Sequence, residues 1–417
     1  MLRCGVMKRI NGFRRFPLKR IFKILGITIA CLVVFGSLSV LAYRKYLQHK
    51  VAKEGAISSP SGIDSLESVR IGGIDQWIQV RGQNVNNPIL LFIHGGPGLG
   101  FIPLGRTFQR PWERYFTVVQ WDQRGAGKTY ASNDRELQRR TMNLPQMEQD
   151  TLDIVNYLRH RFQRDKIFVM GHSWGSVLGL WLAHQHPELI FAYVGTGQIV
   201  ATEQNSALLY HDMLQEARNR HNDEATRELE GIAPYPPPNA DIRKLRIVNQ
   251  WAGALLGPPP RAAENHLESM MQVVVSAPEY SLVDDYEFVR APEFSAEVLL
   301  PQLMSLDMTK LGLDFQVPIF FFEGRHDPYC RPSLVWEYSQ NISAPRKGFI
   351  WFENAGHFAF FEPQFTEELV RQVRPLAKEP PAPAESLTGR SIHSWRLVTC
   401  TLTLASRMSP ALSPRDE

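Results

Sequence analysis

The chain is poor in cysteine: Cys4, Cys31, Cys330 and Cys400 are the four in 417 residues, at spacings that suit neither paired bridges nor a zinc site. No disulfide framework is expected. An H-E-x-x-H helix is also missing, and His184 and His186, two residues apart, point to different faces of the helix that holds them, so they form no metal pair. Gly127-Lys128-Thr129 resembles the end of a phosphate-binding loop, but the first glycine of such a loop would fall at position 122, which is Asp122, and no nucleotide site is expected. Excess charge is small as well. The formal net charge is +4, with much of the surplus before residue 54, which removes nucleic acid as the default partner. No internal repeat is present.

What the chain does have is an ordinary globular composition, 44% hydrophobic and 21% charged, at a length that suits one large or two modest domains. Residues 1–23 form a basic segment with eight Lys/Arg and no acid. Residues 24–43, ILGITIACLVVFGSLSVLAY, then run without a charge. At about 1.5 Å per residue that run spans about 30 Å, the hydrocarbon thickness of a bilayer, and predicts one transmembrane anchor. Val40-Leu41-Ala42 could instead mark signal-peptide cleavage, but the run exceeds the usual apolar core of about 7–15 residues, so the uncleaved anchor is the favoured reading. The basic leading flank predicts a cytoplasmic N-terminus with the catalytic domain on the opposite side, a contrast reduced by Arg44, Lys45, Lys50 and Lys53.

Residues 44–64 are expected to be a linker. SLESVRIGG and IDQWIQVRG then alternate around Gly72-Gly73 as a hairpin. Continuous apolar runs follow, among them PILLFIHGGPG, YFTVVQWDQRG, DKIFVMGHSWG, LIFAYVGTG, VPIFFFEGRHD and KGFIWFENAGH. Such runs suit strands buried on both faces, and helical patterns between them, such as LPQMEQDTLDIVNYLRHRF, predict an α/β, mostly parallel doubly wound sheet. The rhythm breaks over 200–312, which is helical in pattern and interrupted by PYPPP and GPPP. That interval is expected to be an inserted helical cap, so that 65–199 and 313–377 form one core. Residues 378–417, rich in Pro, Ala and Ser, are expected to be a disordered tail.

Gly171-His172-Ser173-Trp174-Gly175 stands where one buried strand gives way to a helix. Glycines there permit a sharp turn that lifts the Ser173 hydroxyl above the sheet, and the Trp174 amide, at the helix start, can face a developing negative charge. A serine hydroxyl near pH 7 needs a base, an orienting acid and oxyanion donors. Asp327 and His357 follow the two later strand runs in the required chain order, so Ser173, His357 and Asp327 are the expected catalytic set. His94-Gly95-Gly96-Pro97-Gly98 follows PILLFI, where a second oxyanion donor belongs; Pro97 has no N–H, leaving Gly95 or Gly96. Asp122 and Arg124 are expected to brace loops as a hydrogen-bonded pair.

Together HGGPG, WDQRGAG, GHSWGS, GRHD and AGHFAFFEP resemble the proline iminopeptidase family of α/β-hydrolases, from about Val69 to Leu376. The resemblance implies an α/β-hydrolase fold and a serine aminopeptidase, free of metal and cofactor, that releases N-terminal proline or another small residue from short peptides. An esterase, lactonase or amidase acting on an acyl substrate through the same three residues is the alternative. Members commonly carry glycine where His172 stands and are typically soluble, so the pocket beside Ser173 and the anchor are departures. An aminopeptidase must also hold a charged amine against carboxylates. Among the cap acids Glu203, Asp212, Glu216, Glu224, Glu228 and Glu230, Glu203 is the candidate substrate-binding residue, because it opens the cap next to a strand end.

Overall fold

The computed structural model describes residues 18–237, 239, 241–256 and 266–377. Most of the basic leading segment, the GPPP turn and the tail from residue 378 lie outside the described residues.

Eight strands make one sheet: β1 (Ile63–Ile71), β2 (Ile74–Gly82), β3 (Ile89–Ile93), β4 (Thr117–Asp122), β5 (Ile167–His172), β6 (Ile190–Thr196), β7 (Ile319–Gly324) and β8 (Lys347–Phe352). Their order is β1-β2-β4-β3-β5-β6-β7-β8. The hairpin turns at Gly72-Gly73, with Ile71 opposite Ile74, and β2 meets β4 antiparallel. From β4 to β8 all pairings are parallel. Every residue of β3, β4, β5 and β7 is buried, as a sheet covered on both faces requires. In β3, Ile89, Leu91 and Ile93 enter one core while Leu90 and Phe92 enter the other. β1, at the edge, alternates between exposed and half-buried residues.

The helices follow from the segments between strands. α1 (Leu18–Glu54) precedes the sheet, and α2 (Ile102–Phe108) follows β3. Between β4 and β5 lie α3 (Gly127–Ser132), α4 (Arg135–Thr141) and α5 (Leu144–Phe162), and α6 (Trp174–Gln185) follows β5. α5 covers the predicted LPQMEQDTLDIVNYLRHRF segment; Asn143 caps it by accepting from the Gln146 amide at 3.0 Å, and Met147, Ile154, Val155 and Leu158 form its buried face. The progression of strands reverses at β3, which has β4 on one side and β5 on the other, leaving a crevice at the C-terminal ends of β3 and β5.

Between β6 and β7 stand α7 (Thr202–Asn219), α8 (Asp223–Gly231), α9 (Ile242–Leu256), α10 (His266–Ser276) and α11 (Leu282–Leu303). This inserted segment leaves and rejoins the core through one neck, where Met308 N donates to Val200 O at 2.7 Å and Thr202 N to Leu306 O at 2.9 Å. α7, α8 and α9 share a core of their own built on Leu209, Met213, Leu229, Val248 and Trp251. α12 (Pro332–Asn341) joins β7 to β8, and α13 (Pro363–Glu368) follows.

One expectation is corrected at the N-terminal end. Residues 44–54, read as linker, continue α1 without a break. The reason is tertiary: Arg44 Nη2 lies 2.7 Å from Asp285 Oδ2 and 3.0 Å from Tyr280 O, and Gln48 Nε2 donates to Ala277 O at 2.8 Å. Residues 22–43 of α1 are exposed throughout. Its Phe22–Glu54 stretch is long and apolar enough to cross a membrane.

Candidate active site

Ser173 sits between β5 and α6 with φ 51° and ψ −121°, a left-handed backbone that a non-glycine residue holds only when its surroundings impose it. Its amide donates to Thr196 O at 3.1 Å, and its carbonyl accepts from the Ser176 hydroxyl at 2.5 Å. At Gly175 a Cβ would lie 2.1 Å from Ile93 O, so only glycine lets the first turn of α6 press against the end of β3. The HGGPG loop comes equally close: a Cβ on Gly95 would lie 2.9 Å from Ser173 Cβ.

Asp327 and His357 follow β7 and β8 and meet. His357 Nδ1 lies 2.8 Å from Asp327 Oδ2, while Asp327 Oδ1 accepts from the amides of Tyr329 at 2.7 Å and Cys330 at 2.9 Å. A carboxylate held this way fixes the proton on Nδ1 and leaves Nε2 as the acceptor. The pair touches the same turn that holds Ser173. Gly197, the residue after Thr196, has φ 54°, and a Cβ there would lie 2.9 Å from His357 Cε1. The Cys330 thiol joins the group beside the Ser173 hydroxyl. Its sulfur and the nearest nitrogen and oxygen of His357 and Asp327 all lie within 4.8 Å of one another. Burial pushes that thiol well above its usual range, so it is protonated.

Buried ionisable groups surround the pair. The His172 ring centroid is 4.6 Å from that of His357, and burial, followed by the neighbouring His357, holds its pKa well below the usual value. A neutral His172 places no positive charge beside the His357 ring. Glu323 accepts from the amides of Gly197 at 3.0 Å and Gln198 at 3.1 Å, and burial, then Asp327, raises its carboxyl well above the usual range. In the HGGPG loop, His94 Nδ1 donates to Gly95 O at 2.8 Å and Nε2 accepts from Gln123 N at 3.2 Å, with burial lowering its pKa to about 4. Gln123 ties that loop to the serine turn: its Nε2 donates to His94 O at 2.9 Å and its Oε1 accepts from Trp174 Nε1 at 3.1 Å.

The expected Asp122–Arg124 pair is not formed. Asp122 accepts from the Tyr280 hydroxyl at 2.7 Å and the Lys128 amide at 2.8 Å, whereas Arg124 grips Asp150 at 3.0 and 3.2 Å. Both brace loops, each with its own partner. Glu203 lies apart from these residues. It is exposed on the first turn of α7 and lines a surface groove with Met304, Leu306 and Asp307 that contains none of Ser173, Asp327 or His357. A strand end in sequence does not tell which way the helix after it turns its side chains.

Three contributors were not read from the sequence. Asn205 of α7 donates to Tyr329 O at 2.8 Å and accepts from Arg331 N at 2.8 Å, clamping the loop that carries Asp327. Tyr329 packs its ring 5.1 Å from that of His357. Cys330 could have been noticed from its place three residues after Asp327; Asn205 had no local signal. Ser173, Trp174 and Gly95 stand at the ends of β5 and β3, His357 and Asp327 reach Gly197 and His172 beside them, and Gly96, at φ 120°, continues the HGGPG loop.

Residues 88–364 match the family model described as alpha/beta hydrolase fold. A probable aminopeptidase of Bacillus subtilis, YbaC, is 29% identical over 320 residues, 76% of this chain and 99% of its own. Several further curated relatives are named proline iminopeptidases. Among solved structures, a proline iminopeptidase-related protein of Thermus thermophilus matches with TM-score 0.52 and 20% identity over 75% of this chain and 97% of that one. A bacterial membrane phospholipase A matches with TM-score 0.51 and 17% identity over 87% and 99%. At these identities the two structures speak for the fold alone.

Proposed function

Because the chain belongs to the alpha/beta hydrolase fold family, we propose that it is a serine hydrolase working through Ser173, His357 and Asp327, and foremost an aminopeptidase that releases proline or another small N-terminal residue. The observation that carries the reading is the contact of His357 Nδ1 with the buried Asp327 carboxylate at 2.8 Å beside a serine held at φ 51°. The peptide preference is supported by the curated relatives named as aminopeptidases.

In this reading His357 Nε2 takes the Ser173 proton as Oγ attacks the scissile carbonyl. The amides of Trp174 and of Gly95 or Gly96 receive the oxyanion. Collapse breaks the carbonyl–nitrogen bond and His357 returns the proton to the leaving amine. Water, deprotonated by the same imidazole, then frees the acyl group from Ser173. α1 anchors the enzyme in a membrane, with the N-terminus cytoplasmic and the catalytic domain on the opposite side.

An esterase reading is favoured by one feature of the cap. The half-buried acids Asp212 and Glu216 are already neutralised by Arg331 and Arg220, which leaves Glu228, bonded to the neutral Trp251 Nε1, as the half-buried one of the three without a cation. The full chain in detergent should bind a fluorophosphonate probe at Ser173, and Ser173→Ala should abolish both labelling and turnover. Rapid release from proline p-nitroanilide with slow cleavage of p-nitrophenyl acyl esters supports the aminopeptidase; the reverse pattern replaces it with the esterase. A folded but unlabelled wild type rejects both.

A further inference from the structure

The first turns of α11 are arranged inside out. Its acids face inward, each on a cation: Asp284 on Lys128 at 2.8 Å, Asp285 on Arg44 at 2.7 Å, and Glu287 on Arg135. Four of its apolar residues face outward, with Leu282 54%, Val283 61%, Tyr286 60% and Val289 60% exposed, while Phe288 enters the core. Spaced at i, i+1, i+4 and i+7, these four share one side of the helix. A helix facing water carries the opposite pattern, and a contiguous exposed apolar face signals an apolar partner. Beyond Val289 the same side turns polar, with Arg290 beside Tyr286 and Glu293 paired with Arg246.

The position of this face names the partner. Arg44, whose guanidinium holds Asp285, immediately follows Tyr43, the last residue of the charge-free run of α1. Leu282 and Val289 are three and four residues from Asp285, so the whole face lies within about 6 Å of it along the α11 axis. Headgroup layers are about 5–7 Å thick on each side of the hydrocarbon. Tyr43 and Tyr46, exposed and stacked at 6.4 Å between centroids, mark the same level, where aromatic rings collect at bilayer surfaces.

We propose that Leu282, Val283, Tyr286 and Val289 of α11 rest in the headgroup layer of the bilayer that α1 enters, as a second membrane contact. The proposal rests on the reading of α1 as a membrane span. Two contacts joined by the Arg44–Asp285 pair fix how the catalytic domain is tilted on the membrane, which a single helix would leave free to swing. The same α11 runs on to the oxyanion loop, where a Cβ on Gly98 would lie 2.6 Å from Ala291 O. Six residues separate Asp285 from Ala291, so that loop is held about 9 Å along the helix from the Arg44–Asp285 pair.

Nitroxide labels on single cysteines at Leu32, Val283, Val289 and Leu313 test it, in the full chain with Cys4, Cys31 and Cys400 changed to serine and the buried Cys330 kept. Leu313 serves as the water-exposed reference, next to β7 at the far end of the sheet from β1. The chain is reconstituted in phosphatidylcholine–phosphatidylglycerol vesicles, and collisions with oxygen and with a nickel chelate are measured. Expected is a several-fold lower nickel and higher oxygen accessibility at Val283 and Val289 than at Leu313, with Leu32 deeper still. If Val283 and Val289 match Leu313 while Leu32 lies in lipid, the second contact is refuted and the anchor stands. If Leu32 also matches Leu313, the anchor reading fails and takes this inference with it. Shielding of Val289 from both reagents with spin–spin broadening would assign the face to a second copy of the chain and refute the lipid contact.

Discussion

Gly197 brings no side chain to the site, yet it decides whether His357 can meet Asp327. With φ 54° and a Cβ position 2.9 Å from His357 Cε1, Gly197→Ala should push the imidazole aside and lower kcat toward a p-nitrophenyl ester by about 100-fold, read together with the rate of fluorophosphonate labelling. His94 gives the residue-scale pH response. Its folded pKa of about 4 lies below the usual 6.5 because burial disfavours the charged ring. Below that usual value the unfolded chain takes up a proton that the folded chain refuses. The stability linked to His94 is therefore complete above about pH 6.5 and is lost as pH falls toward 4. His94→Asn removes the titration. In urea unfolding of detergent-solubilised protein, the advantage of wild type over the variant should shrink by about 2–3 kcal/mol between pH 7 and pH 4.5.

At the scale of elements, the Asp327 carboxylate depends on a helix of the inserted segment. Asn205, on α7, satisfies both Tyr329 O and Arg331 N, so the loop after β7 is shaped by a segment far from it in sequence. Asn205→Ala should lower kcat about 10- to 100-fold while costing about 1–2 kcal/mol of stability, the value of two hydrogen bonds, in parallel kinetic and unfolding measurements. Other elements were legible from their patterns. The hairpin at Gly72-Gly73, the buried parallel strands and α5 follow directly from alternation, continuous apolar runs and helical spacing. α1 was legible only as far as Tyr43. Beyond it Arg44, Lys45 and Lys50 look like a solvated linker, because the partners that hold the chain helical, Asp285 and the carbonyls of Ala277 and Tyr280, come some 230 residues later.

For the whole molecule, the Arg44–Asp285 pair fastens the N-terminal helix to the cap with both side chains nearly buried. Removing one partner strands the other charge away from water. Arg44→Ala should therefore cost about 3–5 kcal/mol in urea unfolding of the detergent-solubilised chain, and Arg44→Met with Asp285→Leu should recover most of it. Recovery in the double variant separates the cost of a stranded charge from simple loss of packing.

The sequence alone determined the α/β architecture and the strand ends after which Ser173, Asp327 and His357 stand, because strand burial and turn chemistry are local and leave periodic, ordered marks. It also named the HGGPG loop by its glycines. Tertiary structure decided what those marks could not carry: that Glu203 faces a separate groove, that Asp122 and Arg124 take different partners, and that His172, Asn205 and Cys330 join the site. Each of those outcomes is set by the direction of a side chain and by a partner from a remote segment, and neither quantity is written in a neighbourhood of the chain.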